Sequence, residues 1–422
     1  MNFDFLKKEY GIKDSAINLL IKAEEDVKNR FSKIDEIAAD NTLKVLSAFK
    51  RHNVSEMHLG LTTGYGYDDV GRDTLDKIYA DVFGTESAIV RHSIVSGTHA
   101  LCLCLFGLLR PGDTLLSVTG KPYDTLEEVI GIRGKASGSL KDWGVNYREV
   151  DLLSDGSADF EAIKNAIDDD VKVVTIQRSK GYAWRKSLSV SDIGEIISCV
   201  KAKNPNIICM VDNCYGEFVE TKEPTDVGAD VIVGSLIKNP GGGISLTGGY
   251  IAGTQIAIEK ISYRLTAPGI GNEVGATLGM NRSMYQGFFL APHTVAQSVK
   301  TAIIASRMLE LAGYPVCPES SEERHDIIQA VKLFDKDKLC FFCAGIQRGA
   351  PIDSFVTPTP WDMPGYNEQV IMAAGAFVSG ASIEISADAP IKEPYIAYMQ
   401  GGLTYESGKI AVLCAVSDIL EE

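Results

Sequence analysis

Short apolar runs alternate with helical stretches along the chain from about residue 60. The runs SAIVR, TLLSV, KVVTIQ, IICMV, DVIVGSL and GGYIAG are rich in Val and Ile, which is typical of buried β-strands. Between several of them the apolar positions have helical spacing, as in SVSDIGEIISCVKAK, where Ser189 or Ser191 is a candidate N-cap. This alternation predicts an α/β domain with a mainly parallel sheet.

The segments on either side of this domain have different patterns. Residues 14 to 50 place apolar side chains at helical spacing, which predicts one or two amphipathic helices, either as an arm on a neighbour or as surface helices. After residue 290 the long helical stretch SVKTAIIASRMLELAGY precedes an irregular segment with several prolines. We therefore predict an N-terminal helical arm over 1–58, a large α/β domain over 59–290 and a smaller α+β domain over 291–422.

The charge of the chain argues against two classes of partner. Its 422 residues include 41 basic and 56 acidic side chains, which gives a net charge of −15. Nucleic acids and anionic membranes both favour an excess of Lys and Arg, so we expect neither as a partner. The opening segment MNFDFLKKEYGIKD has no apolar run like that of a signal peptide, and no stretch reaches the roughly 20 apolar residues of a membrane span. We expect a cytoplasmic protein.

The nine cysteines are odd in number, and most of them lie in apolar runs. This usage indicates reduced thiols and not a disulfide framework. Cys340 and Cys343 have C-x-x-C spacing in LCFFCAG, but two phenylalanines separate them and no second pair of ligands is close in sequence. We therefore expect a buried strand here and no metal site.

Lys238 is the first candidate for chemistry. In GSLIKNPGGG it follows an apolar strand and precedes three glycines, so the backbone can pass close to a bulky group. A lysine in a partly desolvated pocket loses its proton more easily and can form a Schiff base with an aldehyde. Ser235, three residues earlier, can offer a hydroxyl group to a phosphate. The alternative is an ordinary lysine that reaches solvent from the end of a strand.

Two further stretches supply groups that suit an anionic, flat ligand. Ser96, Gly97 and Thr98 lie where a strand turns into a helix, and the N–H groups of such a helix start bind anions. Asp212 follows an apolar strand, at the sheet edge where α/β proteins bind ligands, and can pair with a protonated ring nitrogen. Tyr215 can donate to a ring oxygen. The alternatives are a plain helix cap and a turn aspartate.

Tyr123 completes the set, because it lies in a loop after the strand TLLSV and can stack on a flat ring. Alone it would be a surface tyrosine. Taken together, these residues provide a phosphate-binding site, an aromatic ring for stacking, a partner for a ring nitrogen and a lysine for a Schiff base. This combination indicates a pyridoxal 5'-phosphate cofactor.

Three long motifs resemble one enzyme family. They are GYGYDDVGRDTLDKIYADVFGTESAIVRHSIVSGTHA, GSLIKNPGGGISLTGGYIAG and PTPWDMPGYNEQVIMAAGAFVSGASIEISADAP. The chain resembles the fold-type-I pyridoxal-phosphate enzymes of cysteine and methionine metabolism, and most closely the methionine gamma-lyase-like family labelled "aluminium resistance protein". The resemblance runs from about residue 55 onward. It implies a three-layer α/β/α fold with a mainly parallel sheet and a smaller α+β domain.

The resemblance also implies roles for the candidate residues. Gly97, Thr98 and Ser235 would hold the cofactor phosphate, and Tyr123 would stack on the ring. Asp212 would pair with the ring nitrogen, and Lys238 would form the Schiff base. Sites in this fold lie at a dimer interface, so the resemblance implies a homodimer or homotetramer with shared sites.

The sequence departs from the wider superfamily at two points. Where the superfamily carries Tyr-Ser-Arg across the dimer interface to the phosphate of the neighbour, this chain reads Tyr65, Gly66 and Tyr67, without the arginine. The arginine that clamps the substrate carboxylate also has no clear counterpart. Lys392 and Arg178 are the candidate substitutes, and lysine offers a point charge in place of a bidentate fork.

We therefore expect a carbon-sulfur lyase of the cystathionine beta-lyase or methionine gamma-lyase kind, which eliminates a thiol from a sulfur amino acid. Lys238 would move the α-proton and Tyr123 would protonate the departing thiolate. An aminotransferase or another pyridoxal-phosphate reaction would use nearly the same residues and stays the alternative. A non-catalytic regulator with this fold is a further alternative, against which the presence of Lys238 and Asp212 argues.

Overall fold

The structure, a computed structural model, describes residues 1–134, 137–363 and 368–420. The α-helices in these ranges are α1 (Phe3–Tyr10), α2 (Asp14–Arg51), α3 (Val70–Val82), α4 (Gly97–Leu108), α5 (Asp124–Ile130), α6 (Phe160–Ala166), α7 (Val190–Lys203), α8 (Gln255–Leu265), α9 (Asn281–Leu311), α10 (Lys336–Arg348) and α11 (Tyr405–Ile419). Short 3₁₀ helices cover Glu56–Leu59, Pro224–Val227, Asn239–Gly241 and Gly271–Glu273. Residues 364–367 of the third family motif lie outside the described ranges.

The described strands form two sheets. They are β1 (Ser87–Arg91), β2 (Thr114–Ser117), β3 (Asn146–Glu149), β4 (Val171–Gln177), β5 (Ile208–Asp212), β6 (Val231–Ser235), β7 (Gly249–Gly253), β8 (Val316–Cys317), β9 (Ile328–Lys332), β10 (Val370–Ala373), β11 (Ser386–Pro390) and β12 (Ile396–Gln400). The larger sheet has the order β1-β7-β6-β5-β4-β2-β3, in which only β7 runs antiparallel to its neighbours. The predicted mainly parallel sheet is confirmed.

Alternate residues of the strands enter two separate cores. On β4 and β5, Val173 and Met210 pack with α4 and α8 on one face of the sheet. Their chain neighbours Val174 and Val211 pack with α3 and α7 on the other face. Because strands in the middle of a sheet are covered on both faces, their sequences are apolar at most positions and do not alternate strictly with polar residues. The predicted three layers are confirmed.

Helix α2 is a single helix and not two. Its apolar face, which includes Leu20 and Val27, is buried against α9 of the same chain. The N-terminal segment therefore packs on its own chain over much of its length. Other apolar side chains of α2 remain exposed, among them Leu43 and Leu46.

The smaller sheet is antiparallel, with the order β10-β11-β12-β9-β8, and packs against α10 and α9. This confirms the predicted smaller α+β unit. Helix α9 leads into it from the larger sheet, and the predicted boundary at residue 290 falls inside that helix. The predicted domain limits themselves stay a prediction.

The segment LCFFCAG is helical, so the predicted buried strand is wrong. It lies within α10, where Leu339, Phe342, Cys343 and Ile346 are buried at helical spacing. Asp335 caps this helix and accepts a hydrogen bond from the N–H of Lys338 at 2.8 Å. A short apolar run does not distinguish a buried strand from a buried helix, so the cap was the informative signal.

Three further features of the described residues bear on the predictions. All nine cysteines are described, and each is a free thiol. Groups of three or more His, Cys, Asp or Glu side chains in metal-binding arrangement do not occur in the described ranges. Within the same ranges, every helix is too short or too polar to cross a lipid bilayer.

Candidate active site

A cavity at the carboxyl edge of the larger sheet brings together most of the candidate residues. β5 ends at Asp212 and β6 at Ser235, while α4 begins at Gly97. Because parallel strands end at the same edge, residues far apart in sequence meet there. The cavity is lined by the predicted residues Ser96, Gly97, Thr98, Tyr123, Asp212, Tyr215, Ser235 and Lys238.

The start of α4 forms one end of the cavity. Ser96 caps the helix, and its Oγ accepts a hydrogen bond from the N–H of His99 at 3.0 Å. A Cβ atom added to Gly97 would lie 3.3 Å from Cys214 Sγ and 3.7 Å from the Cβ of Ser235, so glycine keeps this end open. The N–H groups of the first helical turn and the Ser235 hydroxyl form a small anion site.

Lys238 and Asp212 supply the charges of the cavity. The Asp212 Oδ1 accepts a hydrogen bond from the N–H of Cys214 at 3.1 Å. Burial raises the pKa of Asp212, although the charge of Lys238 acts in the opposite direction. Burial lowers the pKa of Lys238, but its acidic neighbours raise it, and the net pKa lies above its usual value. The sequence led us to expect that burial leaves Lys238 partly deprotonated. In the chain by itself this is corrected, because the acidic neighbours raise the pKa of Lys238 by more than burial lowers it.

Tyr215 contacts the lysine from one side. The Nζ of Lys238 lies 4.0 Å from the centroid of the Tyr215 ring. The hydroxyl group of Tyr215 accepts a hydrogen bond from Ser382 Oγ, in the segment before β11, at 3.1 Å. Tyr215 has a φ of 73°, which is uncommon for a residue with a side chain. Such conformations cluster at functional sites, where surrounding contacts hold them in place.

Tyr123 lies between this cavity and a second, adjoining one. It immediately precedes α5, and its ring centroid is 6.2 Å from that of Tyr182. The second cavity shares Tyr123, Gln177 and Gly181 with the first. It also contains Lys392, one of the two candidates for binding a substrate carboxylate.

Arg178, the other candidate, is not in either cavity, and its predicted role is corrected. Its side chain is fully buried. The guanidinium donates to Glu220 Oε1 at 2.9 Å, to Glu223 Oε2 at 3.4 Å and to Asn213 Oδ1 at 2.8 Å. A guanidinium engaged by two carboxylates inside the protein is not available to a substrate.

Tyr65 and Tyr67 lie outside the cavity, on the surface of the chain. Their side chains are 72% and 63% exposed, and their rings are 5.5 Å apart. The backbone between them is fixed, because Arg72 Nη1 donates to the carbonyl oxygen of Gly66 at 2.7 Å. Within one chain, the structure does not bring these tyrosines to the other candidates.

Sequence reasoning missed several residues of the cavity. Gln177 ends β4 beside Asp212, so its position after an apolar run was a usable signal. Cys214 also lines the cavity, and its position two residues after Asp212 was a usable signal as well. Thr125, at the start of α5, also lines the cavity, and its Oγ1 is 2.6 Å from that of Thr98. Ser382 reaches Tyr215 from the segment before β11, which has no distinctive sequence pattern.

A family model for methionine gamma-lyase matches residues 16–420. The chain belongs to the methionine gamma-lyase family. This confirms the resemblance inferred from the motifs, and with it the predicted class of enzyme, a pyridoxal-phosphate-dependent lyase.

Relatives of the family are similar over the whole chain. A carbon-sulfur lyase involved in aluminium resistance from Clostridium novyi NT is 57% identical, with a TM-score of 0.96, over 99% of this chain and 98% of that chain. The Bacillus subtilis (strain 168) protein YnbB is 52% identical over 421 residues, which are 100% of this chain and 99% of the relative. The pyridoxal-5'-phosphate-dependent protein YhfS of Escherichia coli shares the fold at 17% identity, with a TM-score of 0.59, over 90% of this chain and 95% of that chain.

The residues of the cavity fit the cofactor of this family. The anion site beside Gly97 suits a phosphate group, and the absence of a side chain there leaves the first helical turn accessible. Asp212 and Lys238 offer a carboxylate and an amine in one partly buried space. Tyr123 places an aromatic ring at the wall of the same space.

Proposed function

We propose that the protein is a carbon-sulfur lyase that uses pyridoxal 5'-phosphate to eliminate a thiol from a sulfur amino acid. The observation that carries the proposal is the convergence of Lys238, Asp212 and the start of α4 in one cavity. Membership of the methionine gamma-lyase family supports the same class of reaction. Amino acids of the cystathionine, methionine and cysteine kind are the expected substrates.

Each residue of the cavity has a place in holding the cofactor. The N–H groups of Gly97 and Thr98 would bind its phosphate together with the Ser235 hydroxyl. Tyr123 would stack on the ring, and Lys238 would hold the aldehyde as a Schiff base. When bound, the cofactor supplies a ring that takes up the electron pair left at the substrate α-carbon.

The chain supplies the proton transfers and the electrostatics. Asp212 would keep the ring nitrogen protonated, because a carboxylate in a partly buried space strongly favours a neighbouring positive charge. A substrate amine would replace the amine of Lys238, which would then be free to remove the α-proton. Tyr123 lies at the passage between the two cavities and would give its phenol proton to the departing thiolate.

Substrate recognition is assigned to the second cavity. Lys392 is exposed there, and its ammonium group can bind the substrate carboxylate. A lysine binds a carboxylate through a point charge, whereas arginine binds it through two parallel hydrogen bonds. This site would therefore tolerate more variation in the orientation of the substrate than an arginine clamp.

We also propose a homodimer or homotetramer with sites shared between subunits. The exposed pair of Tyr65 and Tyr67 supports this arrangement, because two neighbouring aromatic side chains on the surface are typical of protein interfaces. In the assembly a tyrosine hydroxyl group would reach the phosphate of the neighbouring site. The cytoplasmic location expected from the sequence stays a prediction.

A product assay tests the proposed reaction. The purified protein, loaded with cofactor, is incubated with L-cystathionine, L-methionine and L-cysteine in turn, and thiol, ammonia and 2-oxo acid are measured. Elimination releases a 2-oxo acid and ammonia in equal amounts together with the thiol. A 2-oxo acid that forms only when a second 2-oxo acid accepts the amino group would indicate an aminotransferase instead. The variant Lys238→Ala is the control for reaction by free cofactor.

A further inference from the structure

Glu217 is a buried carboxyl group beneath the cavity that the proposed reaction does not use. Its side chain is fully buried, and its Oε1 accepts a hydrogen bond from Tyr250 Oη at 2.9 Å. Its Oε2 is also buried and has no hydrogen-bond partner in the described part of the chain. A buried carboxylate needs partners for both oxygens, so this environment favours the neutral acid. Burial accordingly raises the pKa of Glu217 to about 8.

Glu217 contacts the segment that carries Lys238 at two points. Its backbone carbonyl accepts a hydrogen bond from Asn239 Nδ2 at 3.0 Å, and Asn239 directly follows Lys238. A Cβ atom added to Gly234 would lie 2.3 Å from Glu217 Oε1, so the carboxyl group packs against the end of β6. Gly234 directly precedes Ser235, which lines the cavity. The carboxyl group therefore lies under the turn that presents the lysine.

We propose that Glu217 is a positioning residue for Lys238, whose neutral carboxyl group supports the turn and keeps a negative charge from stabilising the ammonium form of the lysine. The inference rests on the proposed function, since it requires Lys238 to be the lysine that links to the cofactor. An amine attacks an aldehyde only in its neutral form. A carboxylate beneath the lysine would therefore slow the attack.

The other ionisable groups around Glu217 do not replace this effect. Tyr79 from α3 and Tyr250 from β7 face it, and burial raises the pKa of both phenols well above their usual value. Cys214 belongs to the same segment, and burial raises the pKa of its thiol as well. These three groups are neutral near pH 8. Glu223 disfavours ionisation of Glu217, whereas the positive charge of Lys238 favours it.

The coupling between Glu217 and Lys238 works in both directions. If the ammonium group lowers the pKa of Glu217, the ionised Glu217 must raise the pKa of Lys238 by the same amount. Below pH 7 the carboxyl group is neutral and has no such effect. Above pH 8 it ionises, so the proton affinity of the lysine increases as the pH rises.

The test measures how fast the cofactor-free, full-length protein takes up pyridoxal 5'-phosphate between pH 6.5 and 9.5. The change in cofactor absorbance reports the uptake and requires no turnover. Glu217→Gln keeps the shape of the side chain but cannot ionise. We expect its rate to equal that of the unchanged protein below pH 7 and to exceed it by about threefold or more at pH 9.5, as expected for loss of a nearby opposite charge.

A second variant keeps the test decisive if Glu217→Gln does not fold. Tyr250→Phe retains the carboxyl group but removes the donor that favours its ionised form. Its uptake rate relative to the unchanged protein should therefore also rise between pH 7 and 8.5. Rate ratios that do not change with pH for either variant would overturn the proposal. If the unchanged protein itself takes up no cofactor at Lys238, the proposed function fails and this inference fails with it.

Discussion

Asp212 and Lys238 are the two residues on which the proposed chemistry depends most. Asp212 lies at the end of β5 in the cavity, where its charge can hold the ring nitrogen of the cofactor protonated. Asp212→Asn keeps the shape and the hydrogen bond to Cys214 but loses the charge. We expect it to bind the cofactor and to lose about 100-fold or more in kcat, as when a preorganised charge partner is removed.

A matched control for this prediction lies at the other end of the sheet. Asp230 accepts a hydrogen bond from the N–H of Cys209 at 2.7 Å and pairs with Lys201, far from the cavity edge. Asp230→Asn should therefore leave kcat unchanged. Steady-state kinetics with a matched cofactor content compare the two variants. A folded Asp212→Asn protein with near-normal kcat would contradict the role of Asp212.

We expect Arg178 to contribute to the stability of the fold and Lys392 to the binding of the substrate. Arg178→Met removes a fully buried cation from Glu223, which is itself buried, so we expect the free energy of unfolding to fall by about 3 to 5 kcal/mol. The KM of the folded protein should not change. Lys392→Met removes an exposed charge, so the free energy of unfolding should change by less than about 0.5 kcal/mol.

For Lys392→Met the KM should rise about tenfold or more, because a hydrogen bond to the charged carboxylate of the substrate is lost. Urea unfolding and steady-state kinetics on both variants check the pair of predictions. A raised KM for Arg178→Met without loss of stability would show that Arg178, and not Lys392, reaches the substrate.

At this scale the sequence predicted residues that end strands better than residues that come from loops. Asp212 and Ser235 follow apolar runs, and the ends of parallel strands meet at one edge of the sheet. Arg178 also follows an apolar run, but its side chain turns into a buried group of carboxylates that no local pattern announces. Ser382 joins the site only through the packing of the smaller sheet.

A comparison of two helix caps separates the role of α4 in cofactor binding from its contribution to the stability of the protein. Ser96 caps α4 in the cavity, and Ser189 caps α7 on the outer surface of the sheet through a capping box with Asp192. Replacing either serine by alanine should lower the free energy of unfolding by about 1 kcal/mol. Only Ser96→Ala should weaken the binding of the cofactor, because α4 begins in the cavity, where it would hold the phosphate, and α7 does not.

Urea unfolding of the cofactor-free protein and equilibrium titration with pyridoxal 5'-phosphate measure the two effects separately. Equal cofactor affinity for Ser96→Ala and Ser189→Ala, at equal cost in stability, would mean that α4 does not hold the phosphate.

At the scale of elements, the sequence predicted the strands of the large sheet because each is an apolar run bounded by turn residues. The sequence offers both Ser189 and Ser191 as N-cap of α7, and in the structure Ser189 is the cap. The helix α10 was missed because LCFFCAG is short and apolar at nearly every position. Periodicity carries little information in such a run, and tertiary contacts decide its conformation.

The arrangement of the whole molecule follows from the long helices α2 and α9. They pack against each other, and α9 also contacts α11 and β9 of the smaller unit. The first part of α9 has an apolar face, with Met284, Tyr285 and Phe288 buried at helical spacing, but the sequence did not predict it as helix because Pro292 interrupts the pattern. The sequence therefore predicted the two units, but it did not predict that a single long helix, α9, connects them.

The proposed sharing of sites between subunits belongs to the scale of the whole assembly. Tyr65→Glu should block the phosphate of the neighbouring subunit by charge repulsion, and Lys238→Ala should disable the site of its own chain. When the two inactive proteins exchange subunits, a mixed dimer contains one site with both residues intact. Part of the activity should therefore return, and at most half of the sites in a mixed dimer can be active. Native mass spectrometry confirms the exchange. Confirmed exchange without any activity would show that each site is built from a single chain.

The central claim is that Lys238 carries the cofactor, and reduction with borohydride tests it most directly. The protein is loaded with pyridoxal 5'-phosphate, reduced, digested and analysed by mass spectrometry. We expect the phosphopyridoxyl group on the peptide that contains Lys238, at about one per chain. Lys180, which is buried and lines the adjoining cavity, is the internal comparison and should remain unlabelled. Label on Lys180 or on another lysine, with Lys238 unmodified, would contradict the account.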